Sequence, residues 1–271
     1  MNPPFSRYAG GKRHLLPQIV ALMPEKFDGI HEPYAGGAAL FWALTSPEKP
    51  MSAVLVDTNP FVVALYRGLK EDTKKVAVHV AFMQTHDDDD IRAQYESRRD
   101  SLNNSCTSNA LTAARVLWLN RRCFNGLMRV NKKGEFNVPV GKWKGALPAL
   151  PTRDEILAWG AALQNTEIYS TKQPARDGWV YYADPPYWDG FTQYTQQGFE
   201  QEDQECAATD AVDAARAGAH VICSNADTEQ VRALYGGLGF QIHEVSRPGN
   251  INSDSTKRSR VGELLMRLEA K

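Results

Sequence analysis

Trp179-Val180-Tyr181-Tyr182-Ala183-Asp184-Pro185-Pro186-Tyr187 is the stretch whose reading decides the fold. Its first five residues form an apolar run that reads as a buried strand. Two consecutive prolines can neither continue a strand nor enter a helix interior, so the chain turns after Asp184. The turn lies at the carboxyl end of a strand, the place where open α/β sheets bind ligands. A carboxylate, the carbonyls of Pro185 and Pro186 and the face of Tyr187 then project into one cleft. Asp184 and the Pro185 carbonyl suit the two hydrogens of an exocyclic amine, and Tyr187 suits the flat ring that carries it. A conjugated amine is a weak nucleophile, and accepting its hydrogens returns electron density to the nitrogen as it attacks. The plain structural alternative is an N-capping Asp followed by a rigid turn. Four residues do not separate the two readings.

A second strand-and-turn lies upstream. Ile30-His31-Glu32-Pro33-Tyr34 reads as a short strand running into Ala35-Gly36-Gly37-Ala38-Ala39, which opens the apolar helix 40–44. Strand, small-residue turn and helix make a nucleotide-type binding unit. Ala53-Val54-Leu55-Val56 is the next strand, and Asp57 ends it where an acid typically holds ribose hydroxyls. The structural alternative for Asp57 is a helix cap ahead of Pro60. The Asp184 strand follows Asp57 by 127 residues. Successive βα units would require roughly 50, which leaves about 80 residues inserted between two halves of the fold. The expected layout is a cofactor-binding half over 1–67, a target-recognition insert over 68–154 and a second catalytic half over 155–271.

The insert carries the charge. The chain as a whole is close to neutral, with a formal net charge of −1, 42% hydrophobic and 23% charged residues in 271. These are values of a soluble globular protein long enough for a large core. Between residues 110 and 150, however, eight bases (Arg115, Arg121, Arg122, Arg129, Lys132, Lys133, Lys142 and Lys144) face a single acid, Glu135. A local basic patch is a footprint for nucleic acid or phosphate, or else a solvated surface. Leu111 to Leu119 reads as a helix. Leu127-Met128-Arg129-Val130 and Glu135-Phe136-Asn137-Val138 flank Asn131-Lys132-Lys133-Gly134 as a β-hairpin with a basic tip. Such a ribbon fits the major groove of DNA. Phe124 and Asn125 precede it and can wedge into a base stack, unless Phe124 is a core aromatic.

The remaining signals set limits. Cys106, Cys123, Cys206 and Cys223 show neither a CxxC pair nor zinc spacing, so reduced thiols and no metal are expected. Asp87-Asp88-Asp89-Asp90 reads as a solvated loop or helix start. No run reaches membrane-spanning length and no apolar signal core opens the chain. Helix over 201–217, strand over 220–223 and a closing strand pair over 240–245 and 262–268 complete the sheet. Ser224-Asn225 sit on its cleft side, and 248–260 form a polar loop.

Together these pieces resemble the Dam-type, α-class DNA adenine-N6 methyltransferases. The likeness runs over nearly the whole chain. Arg7-Tyr8-Ala9-Gly10-Gly11-Lys12 is similar to that family's opening segment, which contacts S-adenosylmethionine and borders the target-base pocket. Glu32-Pro33-Tyr34-Ala35-Gly36-Gly37 resembles its methionine-side cofactor loop, with Ala38 where glycine is usual. There Ala requires a negative φ or strain. Asp57 matches the ribose-binding acid, and Asp184 to Tyr187 match the catalytic motif. Phe124-Asn125-Gly126-Leu127, Arg129 and the run from Gly134 through Pro139 to Gly141 resemble the recognition hairpin, in which Arg reads guanine.

The resemblance implies a Rossmann-like methyltransferase sheet with a helical and β-hairpin recognition insert. It implies S-adenosylmethionine as cofactor and duplex DNA as partner, at GATC or a related site. DNA contacts would come from Phe124, Asn125, Leu127, Arg129, Lys132, Lys133, Pro139, Lys257 and Arg258. A cytoplasmic monomer of prokaryote or phage is expected, with or without a cognate restriction or defence system. Methyltransferases of RNA or protein glutamine share the tetrapeptide but need no basic hairpin. A catalytically silent DNA-binding relative would need neither Asp184 nor Lys12.

Overall fold

The computed structural model describes residues 2–5, 8, 10–85, 90–143, 145–187, 199–245 and 262–270. In chain order its helices are α1 (Leu16–Ala21), α2 (Ala39–Leu44), α3 (Pro60–Glu71), α4 (Thr73–Gln84), α5 (Ile91–Asn104), α6 (Ala110–Arg122), α7 (Arg153–Ala162), α8 (Gln201–Arg216) and α9 (Glu229–Gly237). The strands are β1 (Ile30–Glu32), β2 (Ala53–Val56), β3 (Thr166–Tyr169), β4 (Val180–Ala183), β5 (His220–Ala226), β6 (Gln241–Val245) and β7 (Glu263–Leu268). The class is α/β, as the sequence implies. Two compact units result, one of Met1–Gly11 with Ala35–Lys172 and one of Lys12–Tyr34 with Gln173–Lys271.

In the first unit β2 and β3 pair in parallel, from Ala53 opposite Thr166 to Val56 opposite Tyr169. Pro60 can begin α3 because its missing N–H is one the first turn would leave unpaired, and the Asn59 side chain caps the Phe61 N–H at 3.0 Å. Helix α6 starts at the Asn109 cap and is buried almost all round, Trp118 included. It is the central post on which α3, α4 and α5 pack. Gly68 on α3 is where α6 comes closest. A Cβ there would lie 2.6 Å from Ala113 Cβ and 2.8 Å from the Asn109 carbonyl.

The hairpin after α6 is narrower than its sequence suggests. Its pairing consists of two antiparallel bridges, Val130 with Phe136 and Cys123 with Val140. The bonds from Asn131 N–H to the Glu135 carbonyl and from Asn137 N–H to the Arg129 carbonyl form its ladder, and the backbone groups of Phe136 and Val138 point to the other side. Asn103 of α5 takes both the N–H and the carbonyl of Phe136, at 2.7 and 3.1 Å, and Tyr95 donates to the Val138 carbonyl at 2.8 Å. Pro139 has no N–H to give. The basic patch is also smaller than expected. Arg122 is buried, donates to the Pro148 carbonyl and lies over the Trp118 ring. Lys132, Lys133 and Lys142 are exposed, whereas Lys144 falls outside the described residues.

In the second unit the strand order is β1-β4-β5-β7-β6. The first two pairings are parallel and the last two antiparallel. One face of this sheet (Tyr181, Ala183, Val221, Cys223, Leu264 and Met266) packs against Ala208, Ala211, Ala214 and Ala215 of α8 and Val231 and Tyr235 of α9. Alanine at these α8 positions lets the helix backbone lie close to the strands. Residues alternate across a strand, so Tyr182 and Asp184 share the opposite face. Among the described residues no helix is long and apolar enough to cross a membrane.

Replacing Gly68 with Ala should push α3 from α6 and cost about 1–3 kcal/mol, the usual penalty of overpacking. Thermal melting is the check, with Gly237→Ala as control because no atom lies within 4 Å of a Cβ at that position.

Candidate active site

Asp184 follows the last residue of β4, and parallel pairing sets its neighbour. Ala183 lies opposite Cys223, so the next residues, Asp184 and Ser224, come side by side. The Ser224 hydroxyl donates to Asp184 Oδ1 at 2.7 Å, and Tyr182 and Ser224 hydroxyls lie 3.0 Å apart. On the other oxygen, Lys12 Nζ sits 2.9 Å from Asp184 Oδ2 and 4.5 Å from the centre of the Tyr187 ring. Lys12 is buried and the Asp184 side chain is 20% exposed. A carboxylate and an aromatic face thus surround an amine, here the chain's own ammonium.

Burial raises the Asp184 carboxyl above the ordinary range, against the pull of the Lys12 ammonium and the Ser224 hydroxyl. Glu263, buried on β7, adds a like charge and is itself bonded to His14 at 3.2 Å. β1 lies beside β4, which brings the carboxyl end carrying Glu32-Pro33-Tyr34 next to that carrying Asp184. Glu32 is buried at the end of β1. Tyr34 is half-buried, its ring is edge-on to Phe199, and burial followed by the charge of Asp210 pushes its phenol up to about 12.

In the first unit the Gly36 turn and Asp57 meet. Gly36 N–H donates to Asp57 Oδ2 at 2.7 Å and Asn59 N–H to Oδ1, also at 2.7 Å. Asp57 is therefore a clamp on the glycine turn, and the helix cap is its neighbour Asn59. Gly36 has φ +46°, and a Cβ there would lie 2.7 Å from the Tyr8 ring. Glycine is needed twice over, for the left-handed backbone and for the ring. The departure at Ala38 is resolved as strain, for its φ is +48°. Gly37 also lies under Tyr8, Gly11 N–H donates to the Tyr8 carbonyl at 3.1 Å, and Gly10 has φ +77°.

The hairpin presents its groups unevenly. Phe124 is 46% exposed and so is not a core aromatic. Asn125 beside it is exposed in a left-handed turn at φ +55°, a conformation Asn tolerates. Leu127 is half-buried and Pro139 exposed. Arg129 Nε donates to Asn137 Oδ1 at 3.0 Å across the hairpin. The tip is closed by Asn131, whose side chain accepts from the N–H groups of Lys133 and Glu135 at 2.9 and 3.0 Å. Asn59 Nδ2 donates to the Met128 carbonyl at 3.1 Å, which ties the hairpin to the Asp57 turn.

Of the sequence-derived candidates, Arg7, Ala9, Lys257, Arg258 and Asp87 to Asp89 lie outside the described residues, whereas Asp90 caps α5. The sequence reading assigned no role to Ser224, Tyr182, Asn59 or Asn137. A signal for the first pair was present: two strands ending in polar residues, if paired in parallel, bring Ser224 to Asp184.

Burial pushes the Asp57 carboxyl up to about 6, against the two backbone N–H groups that bond it. A carboxyl raised on folding binds a proton that the unfolded chain has already released. Stability is therefore lost as pH rises from about 4 through about 6, by roughly 2–3 kcal/mol for this group. Asp57→Asn should lack that component. Melting both proteins from pH 4 to 7 should show the wild type losing ground to the variant as pH rises, whatever constant offset separates them.

Comparisons with known proteins identify the family. The family model described as D12 class N6 adenine-specific DNA methyltransferase matches residues 8–251. A type II methyltransferase of Lactococcus lactis subsp. cremoris is 32% identical over 278 residues, which cover 97% of this chain and 94% of the relative. A DNA adenine methylase of Vibrio cholerae is 32% identical over 271 residues, covering 96% of this chain and 94% of its own. The DNA N-6-adenine-methyltransferase of Escherichia phage P1 is 29% identical over 96% of this chain, which spans 34% of that longer protein. The family match runs through the Gly36 turn, the hairpin and the Asp184 turn alike, and the chain belongs to the D12 class of N6 adenine-specific DNA methyltransferases.

Proposed function

We propose that the chain moves a methyl group from S-adenosylmethionine to N6 of an adenine flipped out of duplex DNA, at GATC or a related site. The observation that carries the reading is the amine held between Asp184 and Tyr187. Lys12 occupies Asp184 Oδ2, an acceptor that suits an adenine amino group. In the reaction Asp184 Oδ2 and the Pro185 carbonyl accept the N6 hydrogens, Pro186 stiffens the turn and Tyr187 stacks on the base. Displacing Lys12 from Oδ2 is part of base entry.

The Gly36 turn seats the Tyr8 ring in the space a side chain would fill, which brings together two segments assigned to the cofactor. Asp57 spends one lone-pair site of each oxygen on a backbone N–H and keeps another on each for ribose hydroxyls. Tyr8, Gly10, Gly11, Lys12, Glu32, Pro33, Tyr34, Gly36 and Gly37 are assigned to the same cofactor on their match to the family's motifs. S-adenosylmethionine supplies an electrophilic methyl on a sulfonium. The protein's part is to place N6 in line with it and to accept the proton that N6 loses.

On the DNA side, exposed Phe124 and Asn125 stand ready to fill the gap left by the flipped base, with Leu127 and Pro139 beside them. Asn137 spends Arg129 Nε and leaves the two terminal nitrogens to pair with a guanine edge. Lys132 and Lys133 at the tip serve as phosphate contacts.

Asp184→Ala should lower transfer of labelled methyl to a duplex oligonucleotide by about 10²-fold or more. Turnover near the wild-type rate would overturn the reading. Arg129→Ala should relax selection at one base pair, by about 1–3 kcal/mol of discrimination. Lys132→Ala with Lys133→Ala should weaken binding to every sequence alike and flatten its salt dependence. Rates on oligonucleotides substituted one position at a time distinguish the two classes, and uniform slowing by Arg129→Ala would make Arg129 a backbone clamp.

A further inference from the structure

We propose that Tyr182 and Ser224 are positioning residues that hold the Asp184 carboxylate aimed and in its proton-accepting form, through a one-way relay of hydroxyl hydrogen bonds. The inference rests on the reading of Asp184 as acceptor of the target amine's hydrogens. Its direction follows from counting hydrogens. An ionised carboxylate only accepts, and a serine hydroxyl has one hydrogen. The Ser224 hydrogen is committed to Asp184 Oδ1 at 2.7 Å, so the Tyr182 phenol must be the donor in its 3.0 Å contact with Ser224. Burial pushes that phenol well above its ordinary value, which keeps the hydrogen on Tyr182.

All three residues lie at the carboxyl ends of β4 and β5 on one sheet face. Tyr182 and Ser224 are 3% and 0% exposed, so water does not compete for either bond. Oδ1 is thereby fixed and Oδ2 is the oxygen left for Lys12 or an incoming amine. A hydrogen bond made to the charged form of a buried carboxylate favours that form.

The groups facing Asp184 act in both directions. Lys12 and Ser224 favour the charge. Burial and Glu263 of β7 oppose it, and the adjoining Cys223 thiol is itself pushed up by burial and by the Asp184 charge. The Tyr187 ring lies 4.5 Å from Lys12 Nζ, and Glu32 adds a negative charge near Tyr182. With Lys12 drawn off by an incoming base, Ser224 is the favourable partner that stays. Removing its hydroxyl should raise the pH at which Asp184 takes up a proton.

The test is the pH profile of methyl transfer under saturating cofactor and DNA for the wild type, Ser224→Ala, Tyr182→Phe and Asp184→Ala. Ser224→Ala should lower kcat at neutral pH by roughly tenfold or more, the worth of a hydrogen bond to a charged group. Its acid limb should move to higher pH, the rate should recover as pH rises, and KM for DNA should stay near the wild-type value. Tyr182→Phe should move the limb in the same direction by less. It removes one oxygen and carries the test should Ser224→Ala fold poorly by thermal melting. An acid limb unmoved in both variants, whether the rate is unchanged or reduced equally at every pH, would overturn the relay. If Asp184→Ala is inactive while both limbs stay put, only the relay falls. If Asp184→Ala stays active, the reading of Asp184 falls and the relay with it.

Discussion

A carboxylate kept at the end of a buried strand needs partners that repay the loss of water, and much of the second unit can be understood from that demand. Parallel pairing of β4 with β5 answers it, because it delivers Ser224 to Asp184 by register alone. The alternation that puts Tyr182 and Asp184 on one face commits Tyr181, Ala183, Val221 and Cys223 to the other, where the alanines of α8 close over them. Lys12 adds a full positive charge at 2.9 Å. Breaking a buried pair by removing one partner is costly because the other charge is left uncompensated. A substrate that draws Lys12 off must therefore offer donors of its own.

The first unit solves a related problem with backbone in place of side chains. Asp57 is held by two N–H groups, and the same bonds fix the Gly36 turn and the start of α3. Tyr66 completes the clamp by donating to the Gly36 carbonyl at 2.8 Å. Strain at Ala38 persists because the turn is determined from several sides at once.

The α/β class, the Asp184 turn and the Gly36 turn were legible in the sequence because each is a local pattern: an apolar run, a double proline, a glycine pair. The closing strand pair was legible on the same grounds, and of the two readings open for the acidic run 87–90, Asp90 takes the helix start. The hairpin was legible as a turn, whereas its anchoring by Asn103 and Tyr95 of α5 was not, since no local rule foretells such partners. Arg122 misled for the same reason. Charge on a helix reads as surface until a tryptophan and a carbonyl are known to lie beside it. Phe124 is the opposite case: residue type alone favours the interior, and it stands exposed on an elbow whose next residue, Asn125, is left-handed. Ser224 and Tyr182 needed the strand pairing, which is a three-dimensional fact.

The grip on the hairpin has a consequence for how this element could change over evolutionary time. Asn59 holds the carbonyl of Met128, Asn103 both backbone groups of Phe136, and Tyr95 the carbonyl of Val138. Every one of these polar anchors grasps main chain, which is the same whatever side chain is attached. The side chains of Met128, Phe136 and Val138 are themselves buried, Phe136 edge-on to Phe61. Arg129, Lys132, Lys133 and Asn137 can therefore be exchanged in descent without unfastening the element that carries them. If the hairpin reads the target as proposed above, such a scaffold lets one lineage drift among target sequences while its chemistry stays fixed.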